Sequence, residues 1–108
     1  MAETVVVAVF TAKEGQEDAL IEGLRPTIEQ THDEEGCLSY ALHRDKQNPS
    51  RFALVETWRS QADLDEHLQK PYVAALGAIA GDLLAEPPQI SFTEPIPIGD
   101  AAKGALGD

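Results

Sequence analysis

The chain has 108 residues, 43% of them hydrophobic, which suits one domain able to build a core without disulfide or metal staples. Its 19 acidic against 8 basic side chains give a formal net charge of −11, a field that repels nucleic-acid backbones and anionic membranes and argues against both as partners. No apolar run reaches membrane-spanning length, the single cysteine, Cys37, cannot form an internal disulfide, and residues 5–10 lack the basic flank and cleavage site of a secretory signal, so a cytoplasmic protein is expected.

Residues 4–12, TVVVAVFTA, are apolar or β-branched at both alternating sets of positions, Val5, Val7 and Val9 on one side and Val6, Ala8 and Phe10 on the other. This predicts a strand whose two faces are both covered. After a break at Gly15, Leu20, Leu24 and Ile28 recur at four-residue spacing, predicting an amphipathic helix over residues 16–33 with a kink or restart at Pro26. Gly36 stops it, and Leu38, Tyr40 and Leu42 then alternate with Ser39, Ala41 and His43 as in a strand. The Asn48-Pro49 turn leads into a returning hairpin strand from Arg51 to Trp58. Ser60 can cap the next helix, with Asp63 at the reciprocal position, and Leu64, His67 and Leu68 share one helical face. Pro71 interrupts that helix, YVAALGAIAGDLL resumes the pattern until Pro87-Pro88, and QISFTEPIPI offers a last strand whose prolines suit a sheet edge. The domain is placed at residues 1–98, with a loose tail at residues 99–108.

The order strand, helix, strand, strand, helix, strand is that of an α+β, ferredoxin-like β-α-β-β-α-β fold with helices on one face of an antiparallel sheet. The opposite face would meet water although the first strand is apolar on both sides, which predicts a homodimer.

Glu56 alternates with Phe52, Leu54 and Trp58, so a carboxylate shares a face with three large apolar groups. Burial there raises its pKa unless a histidine, arginine or backbone amide holds the charge. Two readings follow: a structural group fixed at a strand end or interface, or a base in a pocket walled by Trp58. His67 is turned toward the sheet, either as a packed imidazole or as a proton-transfer group. Tyr40, Phe52, Trp58, Tyr72 and Phe92 form either an aromatic cleft or ordinary core. His32 and His43 are expected in solvent, no histidine spacing suits a metal, and Cys37 has no neighbouring base to activate it. Neither a Gly-x-Gly-x-x-Gly motif nor a phosphate loop is present, so no nucleotide or flavin cofactor is expected.

The stretches EEGCLSYAL and NPSRFALVETWRSQADLDEHLQKPY, with the chain length, resemble the antibiotic biosynthesis monooxygenase family, and the likeness runs over residues 5–92. The resemblance implies two ferredoxin-like sheets paired into a dimeric α+β barrel. It also implies oxidation of a small phenolic, anthrone or quinol-like aromatic substrate by dioxygen, without metal or flavin. His67, Glu56 and Trp58 match recurrent family positions and are the candidate catalytic residues; Leu54, Phe52, Tyr40, Tyr72 and Phe92 are the candidate substrate contacts. Aromatic-ring oxidisers of the family carry an asparagine where this chain has Leu54, which removes a polar partner for substrate oxygen. Haem-degrading relatives carry one on the first strand, near Ala8 here, and its loss argues against that activity. The family also leaves open an isomerase or tautomerase of a small metabolite, or a non-enzymatic dimer binding small aromatics.

Overall fold

A computed structural model describes residues 2–106. The valine-rich segment forms β1 (Thr4–Thr11), flanked in the sheet by two antiparallel neighbours. On one side it pairs with β3 (Arg51–Trp58), from Thr4 opposite Trp58 to Thr11 opposite Arg51. On the other it pairs with β4 (Gln89–Thr93), from Val5 opposite Thr93 to Val9 opposite Gln89. The hairpin partner β2 (Cys37–Arg44) completes the order β2-β3-β1-β4, all antiparallel. This is the α+β, ferredoxin-like arrangement that the element order predicts.

Four helical segments cover one face. The long α1 (Glu17–His32) buries Leu20, Leu24, Thr27 and Thr31, spaced so that all four point at the sheet. Gly15, just before it, has φ of +84°, a left-handed turn that favours glycine. Of the kink or restart expected at Pro26, the restart is absent: the helix runs through the proline unbroken. Pro26 and Glu22 are both exposed, so the carbonyl that proline leaves without a donor faces water.

Ser60 caps α2 (Gln61–His67): its hydroxyl accepts the Asp63 N–H at 3.1 Å and donates to the Asp63 carboxylate at 2.8 Å. The expected second stretch of helix divides into α3 (Pro71–Ala74), with Pro71 in its first turn, and α4 (Leu76–Leu83). The helix ends well before Pro87-Pro88, because Leu84 turns extended and bridges to Ala12 at the end of β1.

Two apolar clusters lie between sheet and helices. Val6, Ala8, Tyr40, Leu54, Trp58 and Leu64 form one; Ala12, Leu20, Leu24, Phe52 and Leu84 form the other. Leu38 belongs to neither. The β2–β3 register slips between Cys37 and Ser39, so Leu38 becomes a bulge residue and is 37% exposed instead of facing the core beside Tyr40. On the far side of the sheet Val7, Val9, Ala53 and Val55 are only half-buried and Ala41 is exposed. Beyond β4 the chain runs through exposed Ile96 and Ile98 to a turn closed by Gly104 N–H donating to the Asp100 carbonyl. The last two residues of the expected tail lie outside the described residues.

Candidate active site

A cavity of about 270 Å³ lies between the helix-covered face of the sheet and the segments α1, α2 and α4. Val6, Ala8 and Leu54 form its floor, Leu64, Ile79 and Leu84 contribute to its walls, and Ile90 and Phe92 reach it from β4. Its polar functional groups come from three side chains, Tyr40, Glu56 and His67. An apolar enclosure with a few convergent polar groups is the usual form of a small-molecule site.

Glu56 stands where strand alternation puts it. The register sets it opposite Val6 on β1 and Tyr40 on β2, and it is only 7% exposed. Its donor is a residue of its own strand: the Trp58 indole N–H reaches Oε1 at 3.0 Å. The expected histidine, arginine or backbone amide is not that partner. Burial pushes the Glu56 carboxyl up to about 7, the Trp58 indole works against that rise, and the charge of Glu34 adds to it. The Glu56 side chain lines the cavity.

His67 closes α2 and is 2% exposed. Its ring lies 4.5 Å from that of Trp58 and 5.5 Å from that of Tyr40, the latter in an edge-to-face pose. Nδ1 is 2.7 Å from Glu34 Oε2, and the Tyr72 hydroxyl donates to the same oxygen. Burial, and then Glu34, push the Tyr72 hydroxyl above its ordinary pKa; burial and Glu56 do the same to Tyr40.

Sequence reasoning missed Glu34. In Glu34-Glu35-Gly36 nothing local distinguishes the two carboxylates, yet the first side chain is 12% exposed and the second 90%. The distinction arises from how the turn meets α2. A Cβ at Gly36 would sit 2.2 Å from Asp63 Cγ, and the Gly36 carbonyl accepts the Arg59 N–H at 2.9 Å. Only glycine permits that approach, which turns Glu34 inward and leaves Glu35 outside.

The other sequence-derived candidates are divided. Tyr40, Leu54 and Phe92 line the cavity together with Glu56 and His67. Trp58 is fully buried and supports Glu56 and His67 from behind instead of walling the pocket. Tyr72 lines a separate surface hollow with Glu34 and Lys70. Phe52 packs in the second apolar cluster, with the Arg44 guanidinium 5.1 Å from its ring centre. His43 is exposed as expected; His32 is exposed too, but it also donates from Nε2 to the Tyr40 carbonyl at 2.9 Å. Burial pushes the Cys37 thiol up to about 11, so it is no ready nucleophile. Among the described residues no three His, Cys, Asp or Glu side chains are grouped to hold a metal ion, and no helix is long and apolar enough to cross a membrane.

The family model described as antibiotic biosynthesis monooxygenase matches residues 4–78. An uncharacterized protein of Synechocystis is 34% identical over 88 residues, a match covering 82% of this chain and 60% of the relative's length. The Mycobacterium tuberculosis protein Rv0793, named a putative monooxygenase, is 32% identical over 91 residues, 84% of this chain and 89% of its own. Its solved structure superposes with a TM-score of 0.82 at 29% identity, covering 92% of this chain and 100% of that one. SO0527 from Shewanella oneidensis superposes at 0.79 with 31% identity, covering 85% of this chain and 89% of its own.

Proposed function

The chain belongs to the antibiotic biosynthesis monooxygenase family, and from that premise we propose that it is a cofactor-independent monooxygenase acting on a small phenolic, anthrone or quinol-like substrate. The observation that carries this reading is a cavity whose otherwise apolar lining includes a buried carboxyl, Glu56, and a buried imidazole, His67.

In this scheme His67 removes a proton from the substrate, and the electron-rich anion that results reduces dioxygen directly. The stoichiometry balances without an external reductant: substrate and dioxygen give one oxygen atom in the product and one molecule of water, with all four electrons drawn from the substrate. Glu56, when protonated, donates a hydrogen bond from its carboxyl to a substrate oxygen, which supplies a polar partner on β3 despite Leu54. The apolar walls keep water from the anion. Two copies joined through the open sheet face, in a cytosolic setting, complete the reading.

The test is oxygen uptake by metal-stripped protein offered a panel of hydroquinones and anthrones. Consumption equimolar with product, reduced a hundredfold or more in a folded His67→Ala variant, is the expected result. Turnover of a substrate without oxygen uptake would replace this reading by an isomerase; saturable binding with no turnover would replace it by a binding protein.

A further inference from the structure

Glu34 does not line the cavity, yet its carboxylate is the hydrogen-bond partner of the imidazole that does. We propose that Glu34 is the positioning residue of His67: it holds the imidazole with the proton on Nδ1 and leaves Nε2 as the basic atom offered to the cavity. The inference rests on the proposed function in one respect, that His67 acts as the base.

An ionised carboxylate only accepts hydrogen bonds, so a contact of 2.7 Å to Nδ1 puts the hydrogen on that nitrogen and the lone pair on Nε2. A histidine side chain free in water favours the opposite tautomer, so the carboxylate reverses the intrinsic preference. Glu34 is itself held from several directions. The Tyr72 hydroxyl donates to the same Oε2. Its backbone N–H donates to the Thr31 carbonyl at 3.0 Å and its carbonyl accepts the Cys37 N–H at 3.1 Å. The neighbouring Gly36 fits against Asp63, in the helix that ends at His67, so both partners of the Glu34–His67 contact are fastened to α2.

The surroundings divide the charge usefully. On the cavity side the imidazole packs against the Tyr40 and Trp58 rings and shares the lining with Glu56; on the outer side Glu34 shares a hollow with Asp33, Glu35, Asp63, Glu66, Arg59, Lys70 and Tyr72. When a substrate O–H bond breaks and an Nε2–H bond forms, the imidazolium gains a counter-charge at 2.7 Å that is in contact with water, while the reacting anion stays in the apolar space. The proton remains on Nε2 until it is returned to product or to water; Glu34 itself never takes it.

The tautomer is directly measurable. In ¹⁵N spectra of the unliganded protein, with His32→Gln and His43→Gln used for assignment, His67 is expected as the Nδ1–H form. Glu34→Gln and Glu34→Ala should shift it toward Nε2–H, whereas Tyr72→Phe should leave it in place. With a substrate in hand, folded Glu34→Ala should lose kcat by about 10²–10⁴ with KM changed only a few-fold. An Nε2–H tautomer in the wild-type protein overturns the proposal without any variant, and so does an unchanged tautomer in folded Glu34→Ala. If the tautomer moves as expected while no substrate draws oxygen, the positioning role stands and the oxidation reading fails.

Discussion

A carboxyl moved from an ordinary value near 4.5 to about 7 makes the stability of the protein depend on pH in a defined window. Below the lower value Glu56 is protonated in both folded and unfolded chains and contributes no difference. As pH rises through the window, the unfolded chain ionises first and the folded state must keep a proton or bury a charge, so stability falls. The shift corresponds to on the order of 3 kcal/mol lost by pH 8. Glu56→Gln keeps an oxygen for the Trp58 indole and removes the titration. The difference between wild-type and variant denaturation midpoints, measured from pH 4 to 8, should therefore move steadily in favour of the variant; a difference that stays flat would contradict the raised pKa. The alternation Phe52, Leu54, Glu56, Trp58 made this carboxyl legible in sequence, because strand period fixes its side of the sheet. Its donor was not legible, since side-chain geometry within one strand selected the indole. Glu34 was hidden for the same kind of reason: two adjacent glutamates differ only once a third element packs against their turn.

Elements whose signals are local were read nearly to the residue. The β3 strand from Arg51 to Trp58 and the Ser60 cap follow from period and capping chemistry alone. The Pro26 helix, the Leu38 bulge and the early end of α4 did not, because each is decided by solvent access or by pairing with a distant strand. Two element-scale predictions follow from the same contacts. Ser60→Ala removes the acceptor for the Asp63 N–H and should cost about 1 kcal/mol in denaturation experiments. Gly36→Ala should cost more, about 1–3 kcal/mol, because the new Cβ meets Asp63 at 2.2 Å and Asp63 is held in place by Ser60 and by Arg59 at 2.9 Å. Equal losses for the two variants would mean that the turn before β2 is free to move and does not brace Glu34.

At the scale of the molecule, the helices satisfy one face of the sheet and leave the other with Val7, Val9, Ala53 and Val55 half-buried around the two central strands. Val7 and Val55 are direct cross-strand partners, so a contiguous apolar patch runs across β1 and β3. The chain carries a net charge of −11, so a second copy covering this patch would bring the same charge and repel it. Apolar contact of roughly 800 Å² per copy is the scale on which a specific dimer overcomes such a penalty. The expected outcome is a homodimer by sedimentation at micromolar concentration, tighter in 0.5 M salt than in 0.02 M because screening weakens the repulsion and leaves apolar contact intact. Val7→Glu or Val55→Glu places a charge at the centre of the patch and should give a folded monomer whose cavity still binds an apolar fluorophore, since both positions face away from His67 and Glu56. A wild-type protein that sediments as a monomer in both salts would show that the sheet face is tolerated in water. A dimer unaffected by either substitution would place the interface elsewhere, with the exposed Ile96 and Ile98 beyond β4 as the next surface to alter.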